Sequence, residues 1–251
     1  MSGFGLMNGA LMFTTIATRA AGLVLALFLA VSPGAADAQG QQRGYLEPLT
    51  PENSLLLLVD LQPQFAFSVT SIDAQTLVNN ATGMAKAARA FKIPTLLATI
   101  SAQSFGGPFF PQVQAVLPEA RPFDRTTMNA WEDSRIVEAI RKSGRKKIII
   151  GGLWTDSCVT LPVLSALGAG YEVYVLTDVA GDVNASAHAF AIQRMVQAGA
   201  TPVTWLAVLL EWQRDWARAE TRDAVLQIAR EHGGAWGIGI FYAGAMGIGA
   251  K

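Results

Sequence analysis

Ile148-Ile149-Ile150-Gly151-Gly152-Leu153-Trp154-Thr155-Asp156-Ser157-Cys158 is the stretch on which the reading of this 251-residue chain turns. An aliphatic run stops at two glycines, and a mixed segment leads into the only cysteine of the sequence. Past it, Leu161, Leu164 and Leu167 recur at helical spacing within 159–168. The pattern predicts a buried strand, a tight turn and a helix whose first residue is Cys158. A thiol at a helix start would face orphan backbone N–H groups and the positive end of the helix dipole, both of which favour the thiolate. The same N–H groups could hold a developing oxyanion. A lone cysteine is also among the most buried residue types and often only a small hydrophobe, so position alone leaves both readings open.

Outward from this stretch the chain alternates strand and helix. Upstream, residues 54–60 (Ser-Leu-Leu-Leu-Leu-Val-Asp) form a continuous apolar run ending in a carboxylate, the pattern of a strand buried on both faces. An amphipathic helix is predicted over 75–92 and a second strand over 93–100. A long loop then spans 101–124, with Gly106-Gly107-Pro108-Phe109-Phe110-Pro111 at its heart. Loops of that length in a compact domain usually carry function, and its aromatics suggest a lid or a subunit contact. Residues 123–131 lead into a helix over 133–144, capped by Asp133 or Ser134. Downstream of Cys158 come a strand over 172–178, a helix over 184–199, a short edge strand over 201–205 and helices over 206–218 and 221–233. Alternation of this kind is the signature of an α/β domain with a mostly parallel sheet.

The two ends read differently. Arg19 precedes an apolar run from Ala20 to Val31, and Pro33 and the small residues Ala35, Ala36 and Ala38 follow. This is the layout of an export signal over 1–38, cleaved after about Ala38, which would make the protein periplasmic or secreted. An uncleaved N-terminal membrane anchor is the alternative, although the apolar run falls short of the ~20 residues a span requires. With no cysteine after that run, a lipid-modified N-terminus is not expected. A polar lead-in follows over 39–53, the domain proper occupies 54–233, and a Gly/Ala-rich apolar tail fills 234–251. The tail is too apolar for a solvated linker and is expected to pack on a neighbouring subunit.

Composition narrows the function classes. Lys plus Arg balance Asp plus Glu at 19 each, and the expected cleavage removes one of either sign. A neutral chain argues against nucleic acid or an anionic membrane as partner. One cysteine forbids an intramolecular disulfide, so stability has to come from packing or oligomerisation.

Ligands of open parallel sheets bind at the carboxyl ends of the strands. Asp60 ends the first strand, Cys158 follows the central one, and Arg125 lies in the segment that could close over both. Each has a plainer reading: Asp60 as a helix cap, Arg125 as a surface ion-pair partner. His188 and His232 are the only histidines, both in helical stretches remote from the strand ends, with His188 expected to face solvent and His232 to sit near a helix C-terminus. A base for Cys158 is therefore expected to be a carboxylate rather than an imidazole.

Leu-Val-Asp-x-Gln at 58–62, Asn-Ala-Trp at 129–131 and Gly-Leu-Trp-Thr-Asp-Ser-Cys at 152–158 together resemble the isochorismatase-like cysteine hydrolases, with the YcaC-like branch of unassigned substrate the nearest. The resemblance runs over about 53–232. It implies a three-layer α/β/α, Rossmann-like fold with a mostly parallel sheet of about six strands. It also implies a catalytic triad of Asp60, Arg125 and Cys158, and a non-proline cis peptide between Leu153 and Trp154 that aims the N–H groups of Trp154 and Cys158 at one oxyanion. Gln62, Phe109, Phe110, Asn129, Trp131 and Thr155 are candidate pocket residues, with Trp154 adding to an apolar wall. The implied chemistry is hydrolysis of a C–N bond in a small amide through a thioester. Two departures stand out. Amidases of the family carry Lys where Arg125 stands, and Arg cannot shuttle a proton. Nicotinamidases hold a metal through an Asp and histidines near the first strand, whereas Gln62 and Phe65 follow Asp60 here; no metal or cofactor is expected, and neither nicotinamidase nor isochorismatase activity is supported. The competing reading is a catalytically silent oligomeric scaffold that keeps the fold. A redox-sensing thiol is disfavoured because no second cysteine exists to resolve a sulfenic acid.

Overall fold

A computed structural model describes residues 46–248 of the chain. The expected export signal over 1–38, the start of the lead-in and the last three residues of the tail lie outside the described residues. Among the described residues no helix is long and apolar enough to cross a membrane.

The strands are β1 (Ser54–Val59), β2 (Thr95–Ile100), β3 (Phe123–Arg125), β4 (Lys147–Leu153), β5 (Glu172–Gly181) and β6 (Thr201–Val203). They form one sheet in the order β3-β2-β1-β4-β5-β6, every neighbouring pair parallel. The central pair β1 and β4 is buried along its whole length. Neither strand alternates in polarity because each faces a helical layer on both sides.

Alternate residues of β1 feed two cores. Leu56 and Leu58 pack with Leu77, Met84, Trp205 and Trp212, under α2 (Ala74–Ala90), α3 (Pro111–Val116), α7 (Trp205–Gln213) and α8 (Ala219–His232). Leu55, Leu57 and Val59 point the other way, against Ile136, Ile140, Val163 and Met195 of α4 (Ser134–Ser143), α5 (Thr160–Gly168) and α6 (Ala185–Gln197). The result is three layers, α/β/α. Asp133 caps α4 by accepting the N–H of Arg135 at 2.9 Å, one of the two caps expected there.

Several details depart from or add to the expectations. Residues 101–124 are not one loop: α3 folds within them, and Phe123–Arg125 adds the edge strand β3 beside β2. A short helix, α1 (Pro63–Ala66), follows Asp60. The lead-in is only partly solvated, since Leu49 is buried and its N–H donates to Glu211 Oε1 at 2.6 Å. The helix expected over 206–218 stops at Gln213, where Arg214 turns to a positive φ of 57°. The described part of the tail is helical, α9 (Ala235–Ala245), and exposes Ile238, Phe241 and Tyr242.

Candidate active site

Two parallel strands have to come unusually close for their ends to share a site. At Gly152, φ is 152° and an added Cβ would lie 1.9 Å from the Val59 carbonyl oxygen, so only glycine lets β4 approach β1 here. Immediately beyond, Asp60 turns the chain out of β1 at a φ of 52°, a left-handed conformation that Asp tolerates better than most residues. Its carboxylate is thereby left in the gap above the strand ends, fully buried. It caps no helix; the residue before α1 is Gln62.

Arg125 is the last residue of β3 and reaches across β2 to the same point. Its Nη1 donates to Asp60 Oδ1 at 2.7 Å and its Nη2 to Asp60 Oδ2 at 2.9 Å, a two-pronged pair with both side chains almost wholly buried. Nη1 also donates to the Thr99 carbonyl at 3.0 Å and Nη2 to the Met128 carbonyl at 3.2 Å. Such a fork fixes direction as well as charge. The surface ion-pair reading of Arg125 does not describe this geometry.

Cys158 is the third member, and its local structure differs from the expectation. The peptide bond between Leu153 and Trp154 is cis. Residues Thr155–Val159 then make a π-helical turn, and the α-helix α5 starts only at Thr160. The Trp154 carbonyl accepts from the N–H groups of Ser157 at 3.3 Å and Val159 at 3.2 Å. Cys158 is therefore inside a wide turn and not the first residue of an α-helix, and the residue is buried. Burial, then the negative charge of Asp60, push the thiol up to about 12, opposite to the lowering a helix start would give. Burial also raises the Asp60 carboxyl, against the Arg125 pairing that pulls it down. Thiol and carboxyl interact directly enough for each to shift the other's protonation.

The sulfur opens onto a cavity of ≈ 290 Å³. Phe65, Ile100, Phe105, Met128 and Trp154 supply its apolar wall, and Ser101, Thr126 and Ser157 its hydroxyls. Phe65 packs edge-on against both Phe105 and Trp154, with ring centroids 5.5 and 5.4 Å apart. The Met128 sulfur lies 4.0 Å from the Cys158 sulfur.

Of the expected pocket residues, only Trp154 lines this cavity. Gln62 is buried behind it: its Nε2 donates to the carbonyls of Ile100 at 3.2 Å and Gly107 at 2.6 Å, and its Oε1 accepts the Ile100 N–H at 2.9 Å. It pins the wall and does not face the cavity. Phe109 and Phe110 belong to the core under α2 and α3. Asn129 caps a 3₁₀ turn through the Trp131 N–H and donates to Ser165 Oγ at 3.0 Å. Trp131 stacks edge-on with Tyr171 against the core formed with α4, α5 and α6, and does not line the cavity. Thr155 is fully buried and pairs at 2.9 Å with Nδ1 of His188, which is half-buried and not solvent-facing; burial lowers the His188 pKa. Phe65, Phe105 and Met128 were the residues unforeseen from sequence. The available signal for Phe65 was its place five residues after Asp60, and for Met128 its adjacency to the Asn-Ala-Trp segment. His232 ends α8, as expected, with its Nδ1 3.0 Å from Asn79 Oδ1. Among the described residues no group of three His, Cys, Asp or Glu side chains could hold a metal ion.

Comparison with known proteins gives the family and the fold. The sequence profile of the isochorismatase domain matches residues 54–207, and the chain belongs to that family of hydrolases. YcaC of Escherichia coli (strain K12), a probable hydrolase, is 36% identical over 172 residues, covering 67% of this chain and 81% of that protein. Among solved structures, YcaC from Pseudomonas aeruginosa with hexane-2,5-diol and covalent acrylamide superposes with a TM-score of 0.75 at 33% identity, covering 79% of this chain and 98% of that one. The E. coli YcaC structure, an octameric hydrolase of unknown specificity, gives 0.76 at 31% identity, covering 79% and 97%.

Proposed function

We propose that the protein is a cysteine-dependent hydrolase that cleaves the C–N bond of a small amide through a thioester on Cys158. The observation that carries this reading is the buried Asp60 carboxylate, held on both oxygens by Arg125 and facing the Cys158 thiol. A thiol pushed up to about 12 by burial and by the Asp60 charge is un-ionised near neutrality. A free thiolate is thus not the resting species, and proton removal has to accompany attack. Each oxygen of Asp60 keeps a lone pair beyond those given to Arg125, so the carboxylate can take that proton. A carboxyl raised by burial is a better base than an ordinary one.

The steps balance as follows. Asp60 accepts the thiol proton while the sulfur forms a bond to the amide carbonyl carbon, and the N–H groups of Trp154 and Cys158 hold the oxyanion. Collapse breaks the C–N bond, Asp60 returns its proton to the leaving nitrogen, and the amine departs. Water, losing a proton to Asp60, then splits the thioester into a carboxylic acid and the free thiol. Arg125 stays charged throughout; it fixes the carboxylate and moves no proton.

Support also comes from the P. aeruginosa relative, whose structure carries covalent acrylamide, a small neutral amide with an electrophilic carbon. Mass spectrometry of acid-quenched enzyme incubated with small amides should find an acyl group on Cys158, and Cys158→Ser should remove both adduct and turnover. Turnover retained by Cys158→Ser would refute the proposal. The elevated thiol pKa also suits a silent scaffold with a packed cysteine, and the same test separates the two readings. We further propose a homo-oligomer, since the E. coli relative is an octamer and α9 presents an apolar face. Export follows from the segment over 1–38 and is tested by the N-terminal sequence of the protein recovered from its native cells.

A further inference from the structure

The cavity over Cys158 has a charge character as well as a shape. Among the described residues, none of the side chains lining it is ionisable except the cysteine. The nearest cation, Arg125, has both terminal nitrogens committed to Asp60, so the pair presents no net charge to a ligand. The charged groups around the rim are acidic or balanced. Asp124, next to Arg125 in β3, is exposed and turns its carboxylate towards the wall, accepting from Ala102 N–H at 2.9 Å and Thr99 Oγ1 at 3.0 Å. Asp156 is exposed beside Ser157, with Asp182 behind it accepting the Asp156 N–H at 2.8 Å. Arg135 reaches the Asp124 carbonyl at 2.7 Å but is neutralised by its ion pair with Asp133. An anionic ligand would find hydroxyls and aromatic faces here and no uncommitted cation, with carboxylates at its back. Stripping water from a carboxylate without a paired cation is strongly unfavourable.

We infer that the substrate's acyl group is uncharged and apolar, and that the aromatic wall of Phe65, Phe105 and Trp154 over Cys158 excludes carboxylate-bearing amides. This rests on the cysteine-hydrolase reading and deepens it, because it names the class of acyl group that the site accepts. Phe105 and Met128 stay more than half exposed, while the chain behind Phe105 is tightly packed. Gly106 lies where an added Cβ would be 2.4 Å from Gln62 Nε2 and 2.1 Å from the Ile100 carbonyl, so the Phe105 loop is clamped onto Gln62. Selection therefore comes from a preformed surface, whose apolar burial and lack of a counter-charge act together.

The test uses two reagents that differ only in charge. Rate constants for alkylation of Cys158 in the full chain are measured with iodoacetamide and with iodoacetate, each normalised to the rate for glutathione at the same pH. The normalised rate for iodoacetamide should exceed that for iodoacetate at least tenfold, and Met128→Lys should raise the iodoacetate rate severalfold by placing a cation at the cavity. A normalised ratio near one, or one favouring iodoacetate, would overturn the inference. Butyramide and succinamate, compared as substrates, separate it from the reading beneath. Turnover of butyramide alone supports both; equal or faster turnover of succinamate overturns the charge preference and leaves the hydrolase standing. An alkylation preference with no turnover of any neutral amide would overturn the hydrolase and leave the cavity's charge preference intact.

Discussion

Asp60 and Arg125 bind each other so closely that neither can be altered alone without consequence. Arg125→Ala would leave the Asp60 carboxylate buried at full depth with no counter-charge. Breaking a buried pair in this way costs about 3–5 kcal/mol, far more than the pair contributes over an apolar replacement. Urea unfolding of Arg125→Ala should show a loss of that size, and Arg125→Lys, which keeps the charge and gives up the fork, a smaller one. Equal stability of Arg125→Ala and wild type would mean that the pair is not formed in solution. Arg125 was singled out in the sequence by its place in the segment that could close over the strand ends, and its triad role came only through the family resemblance. Nothing in its neighbours distinguishes a buried fork from a surface partner, because the two-pronged geometry depends on β3 bringing the side chain across β2.

The elements that carry the site were legible to different degrees, for physical reasons. β1 and β4 could be read directly because each is largely aliphatic and buried on both faces, whereas β5, expected over 172–178, runs on to Gly181 with partly exposed positions along it. β3 could not, since three residues give no period and its strand character comes from pairing with β2. The π-helical turn around Cys158 was equally invisible: whether Val159 N–H pairs with Trp154 depends on backbone geometry that no residue pattern encodes. The expected pocket failed for a related reason. Phe109 and Phe110 were assigned to it as loop aromatics, but the loop folds into α3 and turns both rings into the core. Gly152 is where sequence and geometry agree most closely. Gly152→Ala would drive a Cβ into the Val59 carbonyl and force β1 and β4 apart at their carboxyl ends. A loss of about 3 kcal/mol is expected, read as a lower thermal midpoint with activity reduced in the surviving fold. An unchanged midpoint would show that the strands are not held this closely.

At the scale of the whole molecule, the two cores account for the described domain, and among the described residues α9 leaves an apolar face in water. Ile238 is 61% exposed, Phe241 65% and Tyr242 60%. Three such residues on one short helix exceed the scattered surface apolars of an ordinary monomer. Light scattering after size exclusion should give a mass above that of one chain, and Phe241→Asp should lower it; a wild-type monomer would contradict this. A site whose charges are buried and paired within one chain should keep its thiol chemistry in either state, so assembly and catalysis can be measured separately.

The most direct test of the Asp60–Cys158 couple is the pH dependence of Cys158 alkylation by iodoacetamide in wild type and in Asp60→Asn. The Asp60 charge is among the causes that hold the thiol up at about 12, and Arg125 pulls the other way. Removing the carboxylate charge should therefore move the alkylation profile to lower pH, so that Asp60→Asn reacts faster than wild type at pH 8. Amide hydrolysis by the same variant should fall at least about 100-fold, because the base is gone. A profile that is unchanged by the substitution, or one that already levels off below pH 7 in wild type, would show that thiol and carboxylate are not coupled and that Cys158 does not act through Asp60.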